Sequence, residues 1–195
     1  MLDHEQGTNV LSAFHKSMPY GFTLIEMMIT IAIFGITLAL GIPSYRTWVQ
    51  NTQIRNAAES IQNGIQRARG EAVKCNANVA FTLGTASSWA VTHVNACGTL
   101  AAGSTLESRS STEGSKNVTV TVAPTGATTI TFNNLGTVAA NADASAALTR
   151  IDFDTPLVTD GRKLRVAIGL GGNARVCDPD PTLVAKTPPD PRRCY

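Results

Sequence analysis

Residues 22–42 read FTLIEMMITIAIFGITLALGI, an apolar run broken by a single charge, Glu26. As an α-helix rising about 1.5 Å per residue the run extends roughly 31 Å, the thickness of one bilayer hydrocarbon core. A buried core helix and a secretory signal are the competing readings. A signal's apolar region is usually shorter and ends at a small-x-small cleavage site, whereas this run passes into Pro43-Ser44-Tyr45. The run therefore reads as a membrane-spanning helix. A carboxylate one turn from its start is costly in hydrocarbon and by default marks a functional site with a partner. A freshly exposed amino terminus would serve, if the chain were cut between Gly21 and Phe22.

Outside this run the chain is ordinary. Its 195 residues are 43% hydrophobic and only 15% charged, which excludes a disordered polyelectrolyte and a coiled coil. Sixteen Lys+Arg against fourteen Asp+Glu leave +2, so the molecule as a whole carries no strong field. Histidine is confined to His4, His15 and His93, too few for a histidine-based metal or acid/base site to be expected. The composition argues against an enzyme.

Past the apolar run, Ile54, Ala58, Ile61, Ile65, Ala68 and Ala72 recur at 4-3-4-3-4 spacing between Gln, Asn, Arg and Glu. That spacing predicts one apolar stripe on a polar helix about five turns long, packed against a sheet. Pro43, just after Gly41, is expected to kink the helix near the membrane surface. From Val79 the pattern alternates. Strands are predicted at 79–83, 89–94, 118–122, 128–132, 150–153, 164–168 and 174–177, bounded by turn residues. The Ala/Ser/Gly/Thr-rich stretches 98–116 and 137–147 read as exposed loops.

The segment Gly21-Phe22-Thr23-Leu24-Ile25-Glu26 ahead of the apolar run resembles the processing site of type IV pilins and type II secretion pseudopilins. The resemblance implies cleavage after Gly21 by prepilin peptidase and N-methylation of Phe22. It also implies that Glu26 pairs with the terminal amine of a neighbouring subunit during assembly. Two buried opposite charges tolerate lipid only when paired, and the pairing sets axial register. Within that class the chain is similar to the GspH/FimT family of minor pilins and pseudopilins. Ala68-Arg69-Gly70-Glu71-Ala72-Val73-Lys74 resembles the family's helix end. Ile130-Thr131-Phe132 with Leu135-Gly136-Thr137 resembles its mid-domain strand and turn, and Gly172-Asn173-Ala174-Arg175-Val176-Cys177 its closing strand.

The implied fold is α+β, a pilin fold in which a long N-terminal helix, membrane-spanning in its first half, packs on an antiparallel β-sheet head. Residues 1–21 are expected to be a cleaved leader, 22–42 the transmembrane helix, 43–74 its amphipathic continuation, and 75–195 a β-rich head with a disulfide-tied tail. Lys16 precedes the span while Arg46 and Arg55 follow it, so charge alone does not orient the helix. The resemblance implies a single pass through the bacterial inner membrane, head in the periplasm, then entry into a pilus or pseudopilus.

Cys75, Cys97, Cys177 and Cys194 all follow the span. An even count on the exported side favours disulfides, and no close C-x-x-C pair supports a four-thiolate zinc site. Of three pairings, Cys75–Cys97 and Cys177–Cys194 are expected, because each closes a short loop. A loop of roughly 20 residues is worth about 3 kcal/mol in the chain-entropy account.

Catalytic constellations fail. His93 sits in an alternating segment and reads as a strand residue. Gly169-Leu170-Gly171-Gly172 lacks the following Lys-Ser/Thr helix of a phosphate loop and reads as a hairpin turn. Asn117-Val118-Thr119 fits a glycosylation acceptor, a triplet common by chance. Asp152 and Asp154 share a strand face but have no companion base, and a solvated face is the plainer reading. No catalytic residue, metal or cofactor is expected.

A candidate DNA surface comprises Arg162, Lys163, Arg165, Arg175, Arg192 and Arg193. Some family members are DNA receptors whose Gly-Arg-x-Arg motif makes the contacts. Here Gly172-Asn173-Ala174-Arg175 keeps one of the two arginines, and losing a cation weakens phosphate binding across all sequences. Scattered solvated charges are the favoured reading of this region. The expected function is a minor pilin in assembly or initiation of a type IV pilus, with other pilins, prepilin peptidase and the inner membrane as partners. Double-stranded DNA at the pilus tip is the further candidate partner, and a pseudopilin of a type II secretion system is the alternative.

Overall fold

The computed structural model describes residues 21–194 except Asp160, Val184 and Pro189. The expected leader, apart from Gly21, lies outside the described residues. Helix α1 spans Leu24–Cys75 and includes Pro43. Thr23 caps it, its Oγ1 accepting the Glu26 amide at 3.2 Å. Thr-x-x-Glu is the sequence of a capping box, and the carboxylate in the first turn complements the helix dipole.

The chain divides into two units at Gly41/Ile42. In the first, every described residue is exposed. Thr30 donates its hydroxyl to the Met27 carbonyl at 2.9 Å, and Thr37 to the Phe34 carbonyl at 2.9 Å. These hydroxyls are satisfied by their own helix, as a helix surrounded by hydrocarbon requires.

In the second unit the predicted stripe is the core face of the helix. Ile54, Ala58, Ile61, Ile65, Ala68 and Ala72 are completely buried. Gly64 lets the rings of Phe81 and Trp89 close on the backbone, since a Cβ there would stand 2.9–3.0 Å from them. Polar residues beside the stripe fasten the head. Trp89 Nε1 donates to Ser60 Oγ at 2.9 Å and Gln62 Nε2 to the Ala174 carbonyl at 3.0 Å. Asn51 Oδ1 accepts the Arg162 amide at 2.8 Å.

The strands are β1 (Val79–Leu83), β2 (Trp89–His93), β3 (Thr105–Arg109), β4 (Thr119–Ala123), β5 (Thr129–Phe132), β6 (Val138–Ala139), β7 (Arg150–Asp154), β8 (Leu164–Ile168) and β9 (Ala174–Cys177). One sheet has the order β3-β2-β1-β5-β6 and the other β4-β7-β8-β9, with all these pairs antiparallel. Inward side chains of both sheets, including Phe81, Val91, Phe132, Ile151, Phe153 and Val166, join the helix stripe in one hydrophobic core.

Two expected loops contain strands. The stretch 98–116 holds β3, and 137–147 holds β6. β3 is an edge strand exposed at nearly every position, so it has no buried face to impose an alternating pattern. Its ladder to β2 is made by backbone, with an irregularity at Val91/Thr92. β6 is two residues long and only half-buried. Disulfides join Cys75 to Cys97 and Cys177 to Cys194. The first pins the end of α1 to the segment after β2, and the second ties the tail to the end of β9.

Candidate assembly end and charged face

Gly21, Phe22 and Thr23 precede the first turn of α1. Glu26 is exposed, and among the described residues no cation or hydrogen-bond donor reaches its carboxylate. Around it stand Phe22, Leu24, Ile25 and Ile29, all exposed. An anion ringed by apolar side chains, were a hydrocarbon layer or a neighbouring helix to cover it, would need a cation beside it.

The second group of candidate residues lies on β7, β8, β9 and the tail. Asp152 and Arg165 are cross-strand partners on β7 and β8, and their side chains form an ion pair. Arg150 Nε stands 3.1 Å from the other Asp152 oxygen. Lys163 Nζ lies 2.8 Å from Asp154 Oδ2, and the Thr155 amide donates to Asp154 Oδ1 at 2.8 Å. Burial pushes the Asp154 carboxyl up, but the Lys163 ammonium and the Thr155 amide outweigh it and hold the group below its ordinary value. The same contact raises Lys163.

Arg162 Nη2 reaches Asp178 Oδ2 at 3.4 Å. Arg192 grips Asp190 with both Nε and Nη2, at 3.0 and 2.8 Å. That fork holds Asp190 well below the usual carboxylate range and raises Arg192. Arg175 Nη2 donates to the Arg193 carbonyl at 3.1 Å. The structure thus brings the proposed cations into one region, and it brings aspartates with them. What composition presented as scattered solvated charge is a lattice of alternating sign, in which Asp152 and Asp154 are ion-pair partners rather than a carboxylate pair.

The Gly169–Gly172 stretch is the β8–β9 hairpin turn, closed by Gly169 N to Asn173 O at 2.9 Å. Gly172 has φ +78° and packs so closely that a Cβ would lie within clashing distance of the Gly136 carbonyl oxygen. That oxygen accepts a hydrogen bond from Arg69 Nε at 2.9 Å. The helix-end, mid-domain and closing-strand segments singled out in the sequence therefore meet at one point, the Gly136 carbonyl.

One cluster escaped the sequence reading. His93, the last residue of β2, is 1% exposed, and neither ring nitrogen has a partner among the described residues. Leaving buried polar groups unsatisfied costs on the order of 1–3 kcal/mol each. A ring nitrogen of His93 and the Sγ atoms of Cys75 and Cys97 all lie within 4.8 Å of one another. These donors come from a helix end, a strand end and a turn, so no local spacing signals them.

The family described as Type II transport protein GspH matches residues 57–172, and the prokaryotic N-terminal methylation motif matches residues 17–42. The chain is 37% identical to a type IV major fimbrial protein FimA of Dichelobacter nodosus over 68 residues, 29% of this chain and 42% of that protein. It is 46% identical to a fimbrial protein of Pseudomonas aeruginosa over 41 residues, 21% of this chain and 27% of that one. The chain thus spans less than half the length of these curated relatives. Among solved structures, the type IV minor pilin FimU of Pseudomonas aeruginosa aligns with a TM-score of 0.46 and 17% identity, over 76% of this chain and 99% of that one. With the family match running from the buried helix stripe to the Gly172 turn, and the methylation motif bracketing Gly21 and Glu26, the chain belongs to the GspH family of type IV pilin-like proteins, non-enzymatic structural components of a pilus or a secretion system.

Proposed function

We propose that this protein is a minor pilin that helps assemble or initiate a type IV pilus. The observation that carries the reading is Glu26, a carboxylate without a partner among the described residues, set in an exposed apolar helix one turn past Phe22. Prepilin peptidase removes residues 1–21, and the new amino terminus on Phe22 is methylated. Before assembly residues 22–42 hold the chain in the bacterial inner membrane by a single pass. Residues 43–74 carry the head, residues 75–195, in the periplasm. On entry into the filament Glu26 pairs with the terminal amine of a neighbouring pilin, which fixes axial position because an unpaired charge in that setting is expelled.

The test is Glu26→Ala. It should still be cleaved and inserted, but cross-linking to other pilins should fall to background. Undiminished incorporation would refute the assembly role. The description of the matching family favours a second reading, a pseudopilin in a type II secretion machine, with the same chemistry at Phe22 and Glu26. Loss of pili on deletion of the gene supports the first reading, and loss of protein secretion with pili intact supports the second. DNA capture at the tip is a further capacity of the first reading. Its weight is reduced by the aspartates paired with Arg162, Lys163, Arg165 and Arg192.

A further inference from the structure

The geometry points to a zinc site in the unoxidised chain, formed by the Cys75 and Cys97 thiolates and the His93 imidazole. In the oxidised chain the two sulfurs are bonded to each other, and the imidazole is buried against them with neither nitrogen hydrogen-bonded among the described residues. The chain is synthesised with thiols, so a state with all three donors available precedes the disulfide. A tetrahedral Zn2+ with Zn–S near 2.3 Å and Zn–N near 2.0 Å holds its ligand atoms roughly 3.5–3.8 Å apart. The three donors already lie within 4.8 Å of one another, close to that spacing once the sulfurs are no longer bonded to each other.

Two thiolates and an imidazole are a borderline-soft set, which selects Zn2+ over Mg2+ or Ca2+. Glu71, 4% exposed and one helical turn before Cys75, has Oε1 3.4 Å from the Cys75 sulfur; its carboxylate accepts from Lys74 Nζ at 3.2 and 3.3 Å, and on releasing that exposed ammonium it can supply the fourth ligand. Binding replaces two S–H bonds by two Zn–S bonds and releases two protons; no electrons move. The sulfurs cannot serve the metal and the disulfide together. The same join between the end of α1 and the end of β2 is therefore made first by zinc and afterwards by the covalent bond, and oxidation expels the ion. The site is independent of Glu26 and of the filament reading.

The test uses the full chain in detergent carrying Cys177→Ser and Cys194→Ser, so that Cys75 and Cys97 are the thiols read. A phosphine reduces their disulfide, taking the oxygen of one water as phosphine oxide while each sulfur gains a hydrogen. Zn2+ titrated against a chromophoric chelator should bind one per reduced chain and none to the oxidised chain. Co2+ in its place should give the intense visible bands of tetrahedral geometry and a thiolate charge-transfer band in the near ultraviolet. His93→Phe, which keeps the buried volume, should weaken Zn2+ at least about tenfold, the loss expected when a metal site is stripped of a supporting group. X-ray absorption on the zinc-loaded chain with His93 intact reads the ligands whatever that variant does to folding. Two sulfur neighbours and at least one imidazole nitrogen are expected. A shell lacking the imidazole, a pale octahedral cobalt spectrum, or equal binding to the oxidised chain would overturn the assignment.

Discussion

Replacing Gly172 by Ala tests whether the three family segments are held together at the Gly136 carbonyl. Two costs add. With φ at +78°, an L-residue is in a left-handed region that costs roughly 1–2 kcal/mol. The new methyl would also meet the Gly136 oxygen within clashing distance and Phe132 Cε1 at 3.1 Å. The carbonyl cannot swing aside without losing its bond to Arg69 Nε, so an overpacking cost of about 1–3 kcal/mol applies. Reduced entropy of the unfolded chain returns about 0.4–1 kcal/mol. The expected net loss is about 1–5 kcal/mol. Gly126→Ala is the control, because Gly126 has φ +80° and a methyl added there would meet nothing within 4 Å; it should lose at most about 1.6 kcal/mol. The assay is thermal unfolding of the full chain in detergent, read by buried Trp89 in a Trp48→Phe background. At about 2–4 °C per kcal/mol for a chain of this size, the overpacking cost of about 1–3 kcal/mol should make Gly172→Ala melt about 2–12 °C below Gly126→Ala. Equal melting of the two variants would refute the close approach.

Gly21→Asp should leave the leader attached and give a larger band in the membrane fraction on immunoblots; normal mature-size product would contradict processing at that bond. Asp152→Asn removes the anion shared by Arg150 and Arg165, so it should strengthen retention of duplex DNA at low salt and steepen the salt dependence; no shift from either protein at low salt removes the DNA reading. The Arg192 fork lowers the Asp190 carboxyl below its ordinary 3.8. Its contribution to holding the tail is therefore present above pH 3.8 and lost as pH falls through the lowered value. The Asp190 carboxyl resonance should accordingly still be that of the anion at pH 3.8, and a midpoint at or above that pH would refute the contact.

Much of the architecture is legible because it follows from period. The Ile54–Ala72 stripe recurs at helical spacing and is buried throughout, and strands with a buried face, such as β1, β8 and β9, carry alternation or turn signals at their ends. β3 is invisible for a physical reason: its Thr105–Arg109 side chains are almost all in water, and only its backbone is committed to β2. The charged face was half legible. The cations were visible as a cluster, but pairing Arg165 with Asp152 depends on the β7–β8 register, which no local pattern encodes. The His93 group is harder still, because one donor ends a helix, one ends a strand and one lies in a turn.

The tail beyond β9 has a consequence for crowding. The Asp178 amide donates to the Arg192 carbonyl at 2.7 Å, and the Cys194 amide to the Asp178 carbonyl at 3.1 Å. The tail thus occupies backbone groups that would otherwise extend the ladder past β9, and the Cys177–Cys194 bond keeps it there. In the other sheet, the outer side of the edge strand β3 carries Glu107 and Arg109 in place of apolar residues. Open strand edges recruit strands from other copies, and a charged edge or a covering segment prevents it. At those two edges, the tail-covered end of β9 and the charged outer side of β3, little is left for a strand of another copy to pair with by backbone. Under the assembly role proposed above, order between subunits would then rest on the helix and its Glu26 carboxylate rather than on strand-to-strand annealing.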